Sequence, residues 1–320
     1  MGVASYRSVI DATLMRCVAE SLPTIVQLLG YLRFLSPVPP YSMCPKFFRN
    51  QTKMKISAIQ LNSQDDKSFN CAEAERLIRA AAADGAELIV LPEYFACLSG
   101  DDDTQRRSGE ALPDGAIFQW LGRLAGELGV YLHAGSVVEC EGSDRYNTTV
   151  VFGKEGQILA RYRKIHLFDV EVPGGITYLE SARVGRGQDV VTYQAGPFTV
   201  GCAICYDIRF PELFRKLVDA GCDVIIIPAA FTLQTGKDHW DVLVRARAIE
   251  CQSYVIACNQ VSTHAGGTKS SWGHSMIVDP WGTVVAQASE TVGAVTCSLD
   301  KNYVASVRQN MPIANHHVLN

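Results

Sequence analysis

From Lys55 onward the chain alternates short β-branched runs with stretches of helical periodicity. The apolar runs predict strands over 56–61, 87–91, 131–138, 148–152 and 158–162, then 199–203, 224–227 and 254–258. Between them, helices are expected over 117–128, 211–220 and 239–250. An earlier helix is placed by Asn70 as N-cap with Glu73 three residues on, resembling a capping box. Its apolar positions Ala74, Leu77, Ile78 and Ala81 recur at i, i+3, i+4 and i+7, so one face packs on a sheet, and Gly85 ends it. Near the end, strands over 274–279 and 283–287 read as a hairpin joined by Pro280-Trp281-Gly282, with a final strand over 293–299.

Several of these strands are continuously apolar, as in the run from Leu88 to Leu91 and the run from Val224 to Ile227. Such strands are buried on both faces, which favours a layered α/β sandwich over a barrel open to water. No internal repeat or low-complexity tract interrupts the pattern.

Composition narrows the classes. The chain has 320 residues, 48% hydrophobic and 19% charged, enough for one large core and a single catalytic domain. A formal charge of −4, with Lys and Arg scattered, excludes a polyanion-binding surface, so no nucleic-acid partner is expected. Eleven cysteines, an odd number set in apolar runs, read as reduced thiols in a cytoplasmic compartment. The sequons at Asn50 and Asn147 then read as chance matches.

Residues 1–53 differ from the rest. Only Asp11 and Glu20 are acidic, prolines cluster at Pro37, Pro39 and Pro40, and the most apolar stretch, 23–35, is too short to span a bilayer and carries Arg33. No membrane partner is expected. The segment reads as an N-terminal extension, either a transit sequence to mitochondria or another organelle or an upstream extension of the true start at Met54, with the catalytic domain over 54–320.

Three strand ends break from apolar residues into reactive polar ones, where an α/β sheet presents catalytic groups. They are Leu91-Pro92-Glu93-Tyr94, Tyr162-Arg163-Lys164-Ile165-His166 and Cys202-Ala203-Ile204-Cys205-Tyr206-Asp207. At the third, an apolar strand delivers Cys205 to a turn before a helix near Pro211, where free N–H groups and the helix field favour a thiolate. Glu93, desolvated by the run before it, suits a general base. Taken singly, each has a plainer reading: a buried small thiol, a helix-capping carboxylate and a solvated lysine. Cys202-x-x-Cys205 also has redox spacing, but positions three apart in a strand face opposite ways.

Together, from Lys55 to Asn310, these motifs resemble the nitrilase superfamily of carbon-nitrogen hydrolases, and they stand in that family's order. The resemblance implies a four-layer αββα sandwich, usually dimerised, with Cys205 as nucleophile, Glu93 as general base and Lys164 as oxyanion stabiliser. It also implies a second glutamate beside the lysine, matched by Glu180 in Tyr178-Leu179-Glu180-Ser181, with Glu171 competing. The segment Lys164-Ile165-His166-Leu167-Phe168-Asp169-Val170, followed by Pro173-Gly174, and the segment Trp272-Gly273-His274-Ser275 are similar to the Nit branch, above all to omega-amidases. Arg245-Ala246-Arg247-Ala248-Ile249-Glu250 and Asp279-Pro280-Trp281-Gly282 look equally like deaminated-glutathione amidases. Tyr206-Asp207 after the nucleophile speaks against nitrile hydrolysis.

The expected function is hydrolysis of the terminal amide of a small carboxylate-bearing substrate through a cysteine thioester, with water as second substrate and the chain a homodimer. No metal or cofactor is called for, since His166, His239 and His274 lack zinc-ligand spacing. Tyr206 would supply an oxyanion N–H, and Phe231 and Thr232 would line the pocket. Arg209 would anchor the carboxylate or form an ion pair with Glu212 or Asp207. A deaminated glutathione amidase is the alternative within the family. A redox protein or an inactive binding scaffold is the alternative outside it, and the intact Glu93, Lys164 and Cys205 argue against a scaffold.

Overall fold

The computed structural model describes residues 52–172, 176–264, 266–267 and 269–318. The expectations for residues 1–51 and for Pro173-Gly174 therefore lie outside the described residues. The first half runs β1 (Lys53–Gln60), α1 (Lys67–Ala83), β2 (Leu88–Val90), α2 (Asp102–Arg107), β3 (Glu110–Ala111), α3 (Ala116–Leu128), β4 (Tyr131–His133), β5 (Val137–Glu141), β6 (Asp144–Phe152) and β7 (Ile158–Arg163). A ribbon of β8 (Asp169–Val172) and β9 (Ile176–Leu179) follows. The second half runs β10 (Thr192–Ala195), β11 (Phe198–Cys202), α4 (Pro211–Asp219), β12 (Val224–Ala229), α5 (Leu233–Cys251) and β13 (Tyr254–Asn259). It closes with the pair β14 (Val261–Thr263) and β15 (Ser270–Trp272), the hairpin β16 (Met276–Val278) and β17 (Val284–Gln287), then β18 (Gly293–Asp300) and α6 (Lys301–Asn310).

Two mixed sheets result. One has the order β18-β1-β2-β4-β6-β5-β3, with β7 paired to β6, and the other β10-β11-β12-β13-β16-β17. The parallel centres, β1-β2-β4 and β11-β12-β13, are the continuously apolar strands of the sequence. Strand alternation divides their side chains between two cores. In and just after β1 and β2, Ile56, Ala58, Leu88 and Val90 face the second sheet, while Ile59, Leu61, Ile89 and Leu91 face α1 and α3. On the far side, Leu213, Phe214 and Leu217 of α4 and Trp240, Val244 and Ala248 of α5 cover the second sheet. The layers are thus α, β, β, α. Each fully buried Leu, Ile or Phe contributes about 1.5–3 kcal/mol, so the stacking is held chiefly by these faces.

Three local expectations are corrected. The first helix begins four residues earlier, with Asp66 as its N-cap accepting from Phe69 N–H at 3.0 Å. Asn70 instead lies buried inside α1, its amide joining Gln64 and the Ala96 carbonyl, and Glu73 pairs with Arg76. α5 begins at Leu233, where Thr232 caps it, six residues before the expected start, because Trp240, Val244, Ala248 and Cys251 extend one apolar face. The strand expected over 131–138 is split at Gly135, which has φ +54°.

That glycine bears on the site. A Cβ at Gly135 would sit 2.0 Å from the Pro92 carbonyl oxygen, one residue before Glu93. Gly135→Ala is therefore expected to shift the backbone and destabilise the fold by roughly 2–4 kcal/mol, read as a lowered urea midpoint at unchanged slope. A midpoint equal to wild type would show that the close approach carries no constraint. Among the described residues, no helix is long and apolar enough to cross a membrane.

Candidate active site

The three polar strand ends meet at one end of the two sheets. Glu93 follows β2 through Leu91-Pro92, and the next residue, Tyr94, turns the chain with φ +54°. Lys164 immediately follows β7, its N–H donating to the Asn147 carbonyl at 2.9 Å. Cys205 starts a tight turn over residues 205–209 between β11 and α4, in the left-handed region at φ +47°. A non-glycine residue held there is strained, and a strained nucleophile at a strand-to-helix turn is the geometry of an elbow. The turn's bonds begin with Asp207 N–H to the Ile204 carbonyl at 3.0 Å, which leaves the Tyr206 N–H unused by the turn.

Around Lys164 the polar groups close on one another. Its ammonium donates to Glu93 Oε1 at 2.9 Å and Glu180 Oε2 at 2.8 Å, and its side chain is 2% exposed. Glu93 Oε1 also accepts from Asn147 Nδ2 at 2.8 Å, while Oε2 accepts from Ala230 N–H at 2.8 Å. Glu180 Oε1 accepts from Asn147 Nδ2 at 2.9 Å and Tyr94 Oη at 3.0 Å, and Oε2 accepts from Phe168 N–H at 2.8 Å. Cys205 lines the same cavity as Glu93 and Lys164, and the charges of both act on its thiol.

Electrostatics follow from this packing. Burial opposes the Lys164 charge, yet the carboxylates of Glu180 and Glu93 hold its pKa well above the ordinary lysine value. Burial likewise opposes a charged Glu180, but Lys164 and the donors from Phe168 and Asn147 hold its pKa below the usual carboxylate value. For Cys205, burial and then the Glu93 charge push the thiol up, with Lys164 and the Ala230 N–H pulling back. A thiol in this setting keeps its proton until a base removes it, and Glu93 is the base that shares its cavity.

Residues 55–309 match the carbon-nitrogen hydrolase family. The chain is a carbon-nitrogen hydrolase of the nitrilase superfamily. The deaminated glutathione amidase of Synechocystis sp. is 43% identical over 267 residues, covering 82% of this chain and 97% of that one. The human omega-amidase is 38% identical over 262 residues, covering 82% and 94%. Among solved structures, Saccharomyces cerevisiae Nit3, of branch 10 of the nitrilase superfamily, superposes with TM-score 0.75 at 31% identity, covering 82% and 95%. The hydrolase accordingly acts on carbon–nitrogen bonds other than peptide bonds, on a small-molecule amide with water.

Other expected residues fall into place or out of it. Tyr206, Phe231 and Thr232 line the cavity that opens on Cys205, together with Tyr94, Phe168 and Tyr178. Glu171 is exposed on β8, and it is Glu180 that meets Lys164. Arg209 forms no ion pair with Glu212 among the described residues, and it stands against two residues that line the cavity. Its guanidinium lies 5.2 Å from the Phe231 ring centroid and 5.8 Å from that of Tyr206, with Nη2 3.3 Å from His239 Nδ1. Nor does it pair with Asp207, whose carboxylate holds Tyr162 Oη at 2.7 Å, His166 at 2.8 Å and Ile204 N–H at 2.9 Å. Asp207 thereby ties the Lys164 strand end to the Cys205 turn. Cys202 is fully buried in β11 as a free thiol.

Two contributors in this hydrolase escaped the sequence reading. The Ala230 N–H, just past β12, is a backbone group without a side-chain signature. Asn147 was visible only as a sequon, since among its neighbours Tyr146, Thr148 and Thr149 an amide does not stand out. It is fully buried and bridges both glutamates. Asn147→Leu keeps the volume and removes both donors, each bonded to an ionised carboxylate. A hydrogen bond to a charged group is worth about 1.5–3 kcal/mol, so kcat is expected to fall roughly 10–100-fold in steady-state ammonia assays. Wild-type kcat in a folded variant would deny Asn147 any positioning role.

Proposed function

We propose that this hydrolase cleaves the terminal amide of a small carboxylate-bearing substrate, as an omega-amidase does, through a thioester on Cys205. The observation that carries the reading is the contact of one buried ammonium, Lys164, with two carboxylates in the cavity that Cys205 also lines. Glu93 takes the Cys205 proton and the sulfur attacks the amide carbonyl carbon. The developing oxyanion lies between the Lys164 ammonium and the Tyr206 N–H. Glu93 returns the proton to the nitrogen, the carbon–nitrogen bond breaks and ammonia leaves. Glu93 then deprotonates a water, which attacks the thioester, releasing the carboxylate product and the thiol. Glu180, held charged, fixes the lysine.

Support for the carboxylate comes from charge and likeness together. The inner end of the cavity already holds Glu93 and Glu180, so an anionic substrate lies with its carboxylate outward and its amide inward. The likeness to the human omega-amidase points the same way. The higher identity to the Synechocystis enzyme favours a second reading, a deaminated glutathione amidase. Ammonia release across omega-amides, N-carbamoyl amino acids and nitriles, with deaminated glutathione followed by loss of the intact compound, separates these readings. Omega-amides are expected to be used best. Equal rates on neutral aliphatic amides would remove the omega-amidase assignment and leave the amidase chemistry standing.

We also infer a homodimer. The outer face of α5 exposes Val242 and Ile249, and Trp281 is exposed on the hairpin that packs against Ile249, an apolar surface suited to a second copy. Sedimentation at micromolar concentration tests it, and a single monomeric species would exclude it.

A further inference from the structure

Glu139 is a buried carboxylate that the mechanism above does not use. It lies on β5 with 1% exposure, and its neighbour Val138 lines the cavity, so strand alternation sets Glu139 on the face away from it. Its Oε2 accepts from Thr148 Oγ1 at 2.6 Å and Arg163 Nε at 2.9 Å, and its Oε1 accepts from Arg163 Nη2 at 2.7 Å. Each partner adjoins a donor of the site: Thr148 follows Asn147 on β6, and Arg163 precedes Lys164 at the end of β7. We propose that Glu139 is a positioning residue for the reaction, fixing Lys164 through Arg163 and Asn147 through Thr148. This rests on the role given to Lys164 above.

The linkage is short. Thr148 and Arg163 stand opposite each other in the pairing of β6 with β7, and the Lys164 N–H donates to the Asn147 carbonyl. Consecutive side chains of a strand point to opposite faces, so with Thr148 and Arg163 turned to Glu139, Asn147 and Lys164 turn to Glu93 and Glu180. Arg163 grips the carboxylate with two nitrogens, which fixes direction as well as distance, and its guanidinium lies 3.7 Å from the Tyr146 ring centroid. Burial opposes a charged Glu139, but the bonds from Arg163 and Thr148 hold its pKa below the usual carboxylate value. It therefore stays an acceptor for both partners at neutral pH.

What this brace controls is the reach of the ammonium. Lys164 meets Glu93 Oε1 at 2.9 Å and Glu180 Oε2 at 2.8 Å at once. A misplacement of about 1 Å in such a group costs on the order of 100-fold in rate. In Glu139→Gln one acceptor oxygen becomes an amide that donates, set against a guanidinium that can only donate, so the fork opens.

The test reads kcat and KM by ammonia release on succinamate and butyramide, one charged amide and one neutral, beside thermal melting. Glu139→Gln is expected to lower kcat about tenfold or more, by the same factor on each amide the wild type turns over, with KM within about threefold. Arg163→Lys keeps the charge and loses the fork, so its kcat is expected to fall about threefold or more, and it carries the test where Glu139→Gln does not fold. Glu141→Gln removes only the exposed partner of Arg163 and is expected to keep wild-type kcat. A brace that serves the fold alone would lower the melting temperature and leave turnover of the folded enzyme unchanged. A kcat within about twofold of wild type in folded Glu139→Gln or in Arg163→Lys would therefore overturn the proposal. So would an equal loss in Glu141→Gln, or an effect on KM alone. Wild-type kcat in Lys164→Met would instead overturn the role of the lysine on which the proposal rests.

Discussion

Cys205→Ala is expected to abolish ammonia release while leaving the melting temperature within a few degrees of wild type. Removal of a nucleophile costs several powers of ten, on the order of 10⁴–10⁶ in kcat. The fold should survive because Cys205 sits on a turn at the cavity floor, and loss of one sulfur there opens a space the cavity already has. Cys205→Ser is expected to be nearly as inactive, since a hydroxyl buried beside Glu93 is a far weaker nucleophile than a thiol that the same base can deprotonate. Cys202→Ala is the control. It lies three residues away but points into the core between β11 and its neighbours, so it should cost some stability and little activity. Comparable inactivation of both variants, with activity dependent on a reducible bond, would return the redox reading.

Lys164→Met is expected to have the second large effect, on stability and on rate together. The ammonium is the counter-ion of two buried carboxylates, and removing one partner of a buried ionic group costs about 3–5 kcal/mol, or roughly 6–20 °C in melting temperature. The pH dependence carries the signature. In the wild type, Glu180 titrates below its unfolded value, so its contribution is present above about pH 4.5 and is lost as pH falls through its folded pKa. Lys164 titrates above its unfolded value, so its contribution is full below about pH 10 and is lost as pH rises through its folded pKa. Wild type should therefore be more stable at pH 7 than at pH 4. Without the ammonium, burial dominates Glu180 and favours its neutral form, so the variant's stability should fall with rising pH over the same range. Calorimetry from pH 4 to 8 reads the two slopes. A variant with the wild-type slope would show that Lys164 is not the group that keeps Glu180 ionised. Loss of the oxyanion partner should also lower kcat by about 10²–10³-fold.

Much of this was legible in the chain because strand periodicity and strand ends are local signals. The apolar runs around Leu88–Val90, Val224–Ala229 and Tyr254–Asn259 marked the sheet centres, and the abrupt change from apolar to reactive residues marked Glu93, Lys164 and Cys205. What was missed is long-range or made of backbone. Asn147 matters because β6 brings it between two glutamates 54 and 33 residues away along the chain. The Ala230 N–H has no side-chain signal at all. The Asn70 cap failed because Asp66, four residues earlier, satisfies the helix start and frees Asn70 to brace the loop after Glu93.

The central claim, a covalent thioester on Cys205, is tested most directly by mixing enzyme with an omega-amide, quenching in acid within milliseconds and weighing the intact protein and its peptides. The account predicts an early burst of ammonia of one equivalent per active site, provided that deacylation is the slower step. With it should appear a mass gain equal to the acyl group on the peptide bearing Cys205, absent in Cys205→Ala. Ammonia release by Cys205→Ala at the wild-type rate, or an acyl group carried on another residue, would contradict it.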